Sequence, residues 1–432
     1  MAVDHGASGN GHGSPPVVSI RAPWSYHGRT KRARALLSRS CDGAIRRSSS
    51  RRRRRAAMTS DSKAAYAALV QAIVDAGAVV SGSERGSADD FEQAVGYHYA
   101  TELLRVALDL YGDTDEDVPR FVPFGSHALG YHAGGVIAGR VQGGINPDAV
   151  YDQAILTGDR SYRIRGRRGS DVYLSFSFSG GRNGHRPERT MATVNDTQFT
   201  FGRDGEFELI VSPEQPSDAK SATWVRSEPD LCSVIVRQYF NRDPRLETVA
   251  SLTIDSLDDR PARFRTHDER TAARLLAAAA FIDATMAAFP SGVTPAPNTV
   301  NPPLGYTGQA GALGTTDNVY TSGAWLLGED HALVVRLRPP ACRYWSVQLW
   351  NRWGQSVTSD VMPEDNAYHR IIVNNSHAVM EPDGTCRIVI AHRDPRTPNW
   401  LNPLGHSQGV VFFRWLMPES VPEPPTASLM KL

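Results

Sequence analysis

The chain contains an internal repeat, and this feature limits its possible folds more than any other. Asp148-Ala149-Val150-Tyr151 in the first half matches Asp317-Asn318-Val319-Tyr320 in the second. Further along, Arg165, Arg167, Tyr173 and Ser175 match Arg336, Arg338, Tyr344 and Ser346 in the same order. The last matches are Asp204-Gly205, Trp224, Val234 and Arg237 with Asp383-Gly384, Trp400, Val411 and Arg414. Matches in one order over about a hundred residues indicate a duplicated unit. We therefore infer two copies of one domain, roughly residues 140–242 and 310–418.

Both copies show the two-residue period of β-strands. Val172, Leu174, Phe176 and Phe178 alternate with polar residues, which predicts an antiparallel strand with one buried and one exposed face. Asp-Gly turn signals precede further alternating runs. The sequence therefore predicts a mainly β protein with flanking helices (α+β), made of two tandem, internally duplicated antiparallel domains of the β-sandwich or jelly-roll kind.

Three helices are expected to flank these domains. Two lie within residues 58–115, the second beginning at the capping-box pattern Ser87-Ala88-Asp89-Asp90 and ending at Gly112. The third begins at Thr266-His267-Asp268-Glu269 and ends before Pro290. The predicted organisation is an extension at 1–57, helices at 58–115, a first β-domain at 116–260, a connecting helix at 261–295 and a second β-domain at 296–432.

The basic residues are concentrated at the N-terminus. Residues 1–57 hold 13 of the 47 Lys and Arg but only two of the 46 acidic residues, which leaves 34 basic and 44 acidic residues in the rest of the chain. An acidic body argues against nucleic-acid binding, which needs clustered cations. The extension is interpreted as a disordered arginine-rich arm, or as translated sequence upstream of a true start at Met58. An arm of this kind could also contact RNA or anionic lipid.

Targeting signals and disulfide patterns are not readable in the sequence. We find no run of 18 apolar residues and no signal peptide, so we expect a cytoplasmic protein with no membrane partner. Only four of the basic residues are Lys, which indicates a GC-rich, actinobacterial source. Four cysteines do not form a disulfide framework in a chain of 432 residues. The oligomeric state stays open.

The C-terminal part of the chain resembles a known bacterial family. The resemblance lies in YTSGAWLLGEDHALVVRLRPPACRYWSVQLWNRWG from Tyr320, in HRDPRTPNWLNPLGHSQGVVFFRW from His392, and in the later PEPP. This segment, about a quarter of the chain, is similar to the domain of unknown function 1214, which is often paired with the domain of unknown function 1254. Residues 146–240 look like a divergent relative. The resemblance implies paired β-sandwich or jelly-roll domains and carries no reaction, cofactor or catalytic residue.

One loop of the second copy combines several chemically active side chains. It runs from His392-Arg393-Asp394-Pro395 through Asn399-Trp400 to His406. We interpret His392, Asp394 and His406 as candidate catalytic residues, with Asp394 orienting either imidazole as a general base. Arg393 could hold an anionic or carbonyl group, and Asn399 and Trp400 could contact a ligand. The alternative is an ordinary turn with Trp400 in the core.

Three other sets of residues are weaker candidates. Tyr320, Trp325 and Tyr344 could line a ligand groove, although core packing is the alternative for each aromatic residue. The Gly-rich stretch 124–135 contains His127 and His132, but a linker is favoured over a metal site because a third ligand is missing. Arg163, Arg165 and Arg167 alternate along one strand, as a solvated face or as an anion-binding rim.

Three classes of function remain compatible with the sequence. A small-molecule binding protein fits the aromatic-rich second copy, with a site between the copies or at the mouth of the second. A hydrolase- or lyase-type enzyme would use His392 or His406 with Asp394. A non-catalytic structural or interaction module would need neither. We favour binding or processing of a small molecule, and the residues identify neither a ligand nor a cofactor, since fold alone does not define function.

Overall fold

The fold is that of a computed structural model, which describes residues 60–82, 89–113, 116–126, 140–141, 144–217, 222–259, 267–288, 296–303, 314–357 and 368–432. Several features predicted from the sequence lie outside the described residues: the extension 1–57, the Gly-rich stretch from residue 127 onward, and the capping positions 87, 88 and 266.

The described part of the chain is mainly β. Its strands are β1 (Val122–Ser126), β2 (Arg140–Val141), β3 (Ala149–Ile155), β4 (Tyr162–Arg167), β5 (Tyr173–Gly180), β6 (Arg189–Asn195), β7 (Glu206–Ser212), β8 (Thr223–Arg226), β9 (Leu231–Tyr239), β10 (Ser251–Ser256), β11 (Thr299–Val300), β12 (Asn318–Leu326), β13 (His331–Leu337), β14 (Tyr344–Asn351), β15 (Ile372–Asn374), β16 (Cys386–Ala391), β17 (Trp400–Leu401), β18 (Gln408–Leu416) and β19 (Thr426–Lys431). Short 3₁₀ turns lie at Pro244–Leu246 and Tyr368–Arg370.

The sheet topology confirms the duplication. Each repeat has an inner sheet, in which the order β3-β9-β5-β6 of the first repeat matches β12-β18-β14-β15 of the second. Each also has an outer sheet, in which β10-β4-β7-β8 matches β19-β13-β16-β17. Even the exceptional parallel pairs, β7 with β8 and β16 with β17, recur. The mainly β, duplicated architecture is therefore confirmed, whereas the jelly-roll alternative is not.

Each repeat has its own hydrophobic core between its inner and outer sheets. In the first repeat Leu174 and Phe176 of β5 pack with Leu209 of β7. In the second, Val347 of β14 packs with Ile388 of β16. All five side chains are completely buried. Each repeat is therefore a sandwich of two sheets, stabilised by the burial of their facing apolar side chains.

Three helices form a layer against the inner sheet of the first repeat. They are α1 (Asp61–Ser81), α2 (Asp90–Ala107) and α3 (Asp268–Ala288), and α2 continues into a π-helical turn at Leu108–Gly112. The side chain of Asp89 accepts a hydrogen bond from the backbone N–H of Phe91 and so caps α2. The buried helix positions, among them Leu69, Tyr99 and Ile282, share one core with the inner sheet.

Two of these helices, α1 and α3, are long and apolar enough to cross a membrane by length and composition. Neither helix is an uninterrupted run of 18 apolar residues, so the sequence-based expectation of no membrane segment stays a prediction. Both helices bury one face in the protein core, through residues such as Ala76 of α1 and Phe281 of α3. Because core helices pass the same test, the finding is weak evidence for a membrane span.

Strand β5 differs from the prediction in its burial. We expected its polar face to be exposed, but all eight residues of Tyr173–Gly180 are buried. The reason is that the helical layer and the other repeat together cover this face of the inner sheet: Tyr173 lies in the core shared with the helices and donates a hydrogen bond to Asp317 of the other repeat. The alternation of polar and apolar residues therefore marks an interface inside the molecule, in which Tyr173 and Ser177 are hydrogen-bonded.

Candidate functional site

Side chains of the second repeat hydrogen-bond to a buried carboxyl group of the first repeat, that of Asp148. Asp148, directly before β3, accepts hydrogen bonds from the hydroxyls of Tyr344 and Tyr368 and, at 2.8 Å, from Nδ2 of Asn374. Asp148 is completely buried. Desolvation raises its pKa to about 6, against the opposing effect of the three hydrogen bonds and of Arg414. This carboxyl is therefore fully hydrogen-bonded and easily protonated.

The same arrangement exists in the reciprocal direction. Asp317, directly before β12, accepts hydrogen bonds from the hydroxyl of Tyr173 at 2.7 Å and from Nδ2 of Asn195 at 2.8 Å. Tyr173 and Tyr344 are equivalent in the repeat, as are Asp148 and Asp317. We call these two sets of contacts the reciprocal clasp. It fixes the two inner sheets face to face around a pseudo-twofold axis.

Two equivalent arginines lie between the clasped sheets. Arg237 of β9 donates from Nη1 to Oγ of Ser177 at 2.8 Å, and Arg414 of β18 donates from Nη1 to Oε1 of Gln348 at 2.9 Å. Each arginine is only 3% exposed. Tyr151, Tyr239, Tyr320 and Tyr344 all interact electrostatically with Arg414. The centre of the molecule is therefore polar and holds two buried guanidinium groups.

Arg414 forms no ion pair with a described residue, and Asp148 acts on it only at longer range. No acidic group of the described residues lies within 4 Å of its guanidinium, and its Nε has no hydrogen-bond partner among them. The guanidinium instead lies over the ring of Phe412, 5.3 Å from the centroid. A buried charge without a counterion is costly unless something compensates it. The Arg414 guanidinium therefore keeps unused hydrogen-bonding capacity among the described residues.

An aromatic platform adjoins Arg414 on the inner sheet of the second repeat. Phe412 of β18 stacks on Trp350 of β14, with ring centroids 4.1 Å apart and planes at 22°. Tyr320 of β12 lies on the other side of Phe412, at 5.6 Å. The indole Nε1 of Trp350 donates to the carbonyl of Ile145 at 3.1 Å, which fixes its ring. We define Tyr320, Phe412 and Trp350 as the aromatic platform.

The two repeats differ in what covers their inner sheets. Tyr151 and Ile235, the first-repeat equivalents of Tyr320 and Phe412, are 6% and 1% exposed and lie in the helical core. Tyr320 and Phe412 are only half-buried, as are their neighbours Ser322, Ala324 and Val410. The helices therefore close this face in the first repeat and leave it accessible in the second.

The predicted catalytic loop does not bring its acid and base together. Asp394 is exposed and accepts a hydrogen bond from the backbone N–H of Arg396 at 2.7 Å, as expected for a turn. The half-buried His392 contacts the carbonyl of Leu327 at 3.4 Å. The exposed Arg393 pairs with Glu329 at 3.2 Å. Within the described residues no hydrogen bond joins Asp394 to either predicted histidine, so the catalytic role of this loop stays a prediction without geometric support.

His406, the third predicted catalytic residue, lies apart from the rest of the loop. Its Nδ1 contacts Oε1 of Glu92 in α2 at 3.0 Å, and both side chains are at most 1% exposed. Phe91 packs on the His406 ring, with centroids 5.1 Å apart. The pair thus fastens the helical layer to the second repeat. Its partner is a carboxylate of a distant helix and not Asp394.

Of the residues predicted to contact a ligand, some make only contacts that support the fold, and others lie at the interface between the two repeats. Asn399 adopts a left-handed backbone, with φ 57°, and its Nδ2 donates to the carbonyl of Val379 at 2.7 Å. Trp400 donates from Nε1 to the carbonyl of Ala391 at 2.8 Å. Trp325 is 1% exposed in the second core. Tyr320 and Tyr344, in contrast, belong to the aromatic platform and to the clasp.

The alternating arginines of β4 are paired with acidic residues. Arg163 and Arg165 lie 3.4 and 3.2 Å from Glu208, and Arg167 lies 3.3 Å from Glu206. An open groove of about 620 Å³ on this outer face is lined by Arg165, Arg167, Phe201 and Phe207, among others. Exposed pairs of this kind contribute little to stability, but they neutralise the expected anion rim. No cluster of three potential metal ligands occurs among the described residues.

Sequence reasoning missed most of the central residues. Asp148 and Arg414 entered the sequence analysis only as matched positions of the repeat. Phe412, Tyr368 and Asn374 carried no signal, because their role depends on how the two repeats face each other. One signal was available in the sequence: an arginine occupies the same strand position in both repeats, as Arg237 and as Arg414, although a buried strand does not require a charged side chain.

Comparison with known proteins supports the duplication. A family model described as "Protein of unknown function (DUF1214)" matches residues 146–242 and 313–420. The chain is similar to the crystal structure of an uncharacterized protein from Burkholderia cenocepacia, with 27% identity and a TM-score of 0.71 over 85% of this chain and 96% of that chain. The VPA0106 protein from Vibrio parahaemolyticus is 12% identical, with a TM-score of 0.40 over 66% of this chain and 90% of that chain. No curated protein matches. The expected pairing with the domain of unknown function 1254 is not shown, whereas both repeats of this chain match the DUF1214 family model, which is consistent with a protein of that family.

Proposed function

We propose that this protein binds a small organic anion, a carboxylate with a flat apolar portion, between its two repeats. The carboxylate would be held by Arg414, and the apolar portion would lie on the aromatic platform. The observation that carries the proposal is the buried Arg414 guanidinium, which has no acidic neighbour within 4 Å among the described residues.

The charge of Arg414 favours an anionic ligand. A guanidinium presents five N–H donors in a planar arrangement that matches the two oxygens of a carboxylate. In Arg414 one donor is used by Gln348, and Nε has no partner among the described residues. Hydrogen bonds to charged groups contribute about 1.5–3 kcal/mol each when they are buried. A bound carboxylate would therefore both neutralise the charge and complete its hydrogen bonding.

The platform favours a flat apolar group next to the charge. Phe412 lies directly below the guanidinium, with Trp350 stacked beside it and Tyr320 on the other side. Aromatic faces bind flat rings by offset stacking, at about 0.5–1.5 kcal/mol beyond the area they bury. Phe412 and Tyr320 are half-buried, so their faces keep accessible surface that a ligand could cover.

Binding is better supported than catalysis. Asp148 is the carboxyl that acts on Arg414, and both of its oxygens already accept hydrogen bonds from the second repeat. The enzyme alternative depends on His392 or His406 with Asp394, residues that make their contacts elsewhere. Ligand pockets of this composition, apolar with a few polar groups, are typical of small-molecule binding.

The test is thermal unfolding of the full chain with benzoate and with benzamide, which has the same ring but no charge. A ligand at a hundred times its Kd stabilises a protein by about 2.7 kcal/mol, which corresponds to a rise of a few degrees in Tm. We expect benzoate to raise the Tm and benzamide to have little effect. The Arg414→Gln variant should lose the benzoate effect, and Arg167→Gln, on the outer face, should retain it.

A benzoate effect that persists in Arg414→Gln would contradict the proposal, as would an equal effect of benzamide. Circular dichroism must first show that Arg414→Gln is folded. If it is not, the platform variant Phe412→Leu provides the same test, because it shortens the apolar contact while it leaves the guanidinium in place. Benzoate should then bind more weakly, by about tenfold.

A further inference from the structure

A small pocket lies between the first repeat and the helical layer. It shares no described residue with the aromatic platform or with the reciprocal clasp. Strand β3 contributes Gln153 and Ile155 to its floor, strand β9 contributes Ser233, and helix α3 contributes Phe281 and Thr285. All five residues are less than a tenth exposed. The pocket volume of about 30 Å³ is enough for about two or three atoms of the size of a water molecule.

The floor of this pocket contains a polar side chain without a partner. Gln153 is 7% exposed, and its amide makes no hydrogen bond within the described part of the chain. Ser233 and Thr285 add two hydroxyl groups to the same floor. Buried polar groups of native proteins are nearly always hydrogen-bonded, and an exception is expected where a ligand or an ion supplies the partner. The amide of Gln153 therefore points to a polar ligand.

This polar floor occurs in only one of the two repeats. Gln153 and Ser233 have Ser322 and Val410 as their equivalents in the second repeat, as the register of β3 with β9 and of β12 with β18 shows. The fold that the repeats share therefore does not require an amide or a hydroxyl at these positions. The difference favours a role that is specific to the first repeat.

The mouth of the pocket is basic. Arg182, His185 and Arg186, in the loop between β5 and β6, line the pocket and are exposed, so they form its rim. Neither guanidinium forms an ion pair with a described residue. Gly184 of the same loop has φ 79°, and a Cβ at this position would lie 2.5 Å from the Cα of Ala277 in α3. The loop thus lies directly on the backbone of α3, which holds the basic residues beside the mouth.

The charge and the donors of the pocket favour a phosphate group. Two guanidinium groups match the double negative charge of a phosphate, whereas a carboxylate would neutralise only one of them. The amide and the two hydroxyls can donate further hydrogen bonds to phosphate oxygens. Glu188, the acidic residue of the same loop, is not among the residues that line the pocket. The narrow floor accepts only a part of the ligand, and the rest would lie between the arginines at the mouth.

We propose that this pocket binds a phosphate group, either as inorganic phosphate or as the phosphate of a small monoester. Arg182 and Arg186 bind the charge, and Nε2 of Gln153 donates a hydrogen bond to one phosphate oxygen. This site is separate from the proposed carboxylate site at Arg414 and does not depend on it.

The test is isothermal titration calorimetry of the full chain with inorganic phosphate, with glycerol 3-phosphate and with acetate. One variant combines Arg182→Gln with Arg186→Gln, and a second is Gln153→Leu. The matched control is Arg203→Gln, which changes an exposed arginine that does not line the pocket. Arg414→Gln reports on the other site.

We expect both phosphates to bind at least about tenfold more tightly than acetate, and the tighter of the two identifies the source of the phosphate group. The double arginine variant should bind at least about a hundredfold more weakly, at about tenfold for each charge-assisted hydrogen bond. Gln153→Leu should bind about tenfold more weakly without a lower Tm, because its amide has no hydrogen bond to lose. Arg203→Gln and Arg414→Gln should bind phosphate as the wild type does.

Phosphate binding that is unchanged in the double arginine variant would overturn the proposal, as would the absence of binding by either phosphate. Binding that is lost in Arg414→Gln and retained in the double variant would also overturn it, since the anion would then lie at the central site. The benzoate effect on Tm should persist in the double variant, so a failure of one site is distinguishable from a failure of the other.

Discussion

The buried carboxyl of the reciprocal clasp makes the protein's stability depend on pH in a defined direction. Asp148 has a pKa raised to about 6 by desolvation, compared with 3.8 for an ordinary aspartate. The folded state therefore binds more protons than the unfolded state between about pH 4 and about pH 6. The stability contributed by this group is complete below about pH 4 and is lost as the pH rises through about 6.

The size of the effect follows from the shift of about two pH units. At 1.36 kcal/mol per unit this corresponds to about 3 kcal/mol. The perturbation is Asp148→Asn, which keeps the size of the side chain and removes the titration. The free energy of unfolding of wild type and variant should be measured by urea denaturation across this range. We expect the advantage of the wild type over the variant to shrink by about 3 kcal/mol between pH 4 and pH 7.

The same experiment also measures how much stability the variant loses because hydrogen bonds to the carboxyl group are lost. In Asp148→Asn the amide meets three donors, from Tyr344, Tyr368 and Asn374, and its nitrogen cannot accept. The variant should therefore be destabilised by about 2–4 kcal/mol where the carboxyl is protonated, and this difference should fall towards zero by pH 7. The exposed Asp204→Asn should change neither quantity. A difference between wild type and Asp148→Asn that does not vary with pH would refute the reasoning.

Two further predictions concern the contacts of helix α2. In Gly96→Ala the added methyl group would lie 2.5 Å from the Trp353 ring, so we expect the free energy of unfolding, measured by urea denaturation, to fall by about 1–3 kcal/mol. In the control Gly112→Ala the methyl group would have no atom within 4 Å, so we expect no such loss. Equal effects of the two substitutions would contradict the packing argument. His406→Ala removes the hydrogen-bonding partner of the buried Glu92 and should destabilise by about 3 kcal/mol, whereas an unchanged denaturation midpoint would show that the pair contributes nothing.

His392→Ala is the matched control for His406→Ala. Its imidazole is half-buried and makes a long contact of 3.4 Å to a backbone carbonyl, so we expect a change of less than about 1 kcal/mol. The two histidines were equivalent as candidates in the sequence. A similar loss in both variants would mean that the loop contributes to stability in a way its contacts do not explain.

The repeat could be predicted from the sequence because strands and turns produce local patterns of residues. The period of two along β5 and the Asp-Gly turns depend on neighbouring residues alone, and the order of matching residues located both copies. Local capping-box patterns likewise predicted the approximate starts of α2 and α3. The burial of β5 could not be predicted in this way, because a polar face that packs against another polar face has the same pattern as a solvated one.

The candidate site was harder to predict for a related reason. We looked for chemistry in the loop from His392 to His406, since loops on a rigid scaffold often carry function. The structure uses Asp394 and Asn399 for turns, and it places Arg414 and Asp148 in the centre. Those two residues entered the sequence analysis only as matched positions of the repeat. Their proximity arises only when the inner sheets of the two repeats are placed face to face.

The location of the ligand is tested most directly by a crystal structure of the protein with 4-bromobenzoate. The bromine gives an anomalous signal that marks the ring independently of the refined coordinates. We predict one strong peak over the platform of Tyr320, Phe412 and Trp350, with the carboxylate within hydrogen-bonding distance of Arg414. A peak in the outer groove beside Arg165, or no peak at a saturating concentration, would contradict the proposal that the space between the repeats is the binding site.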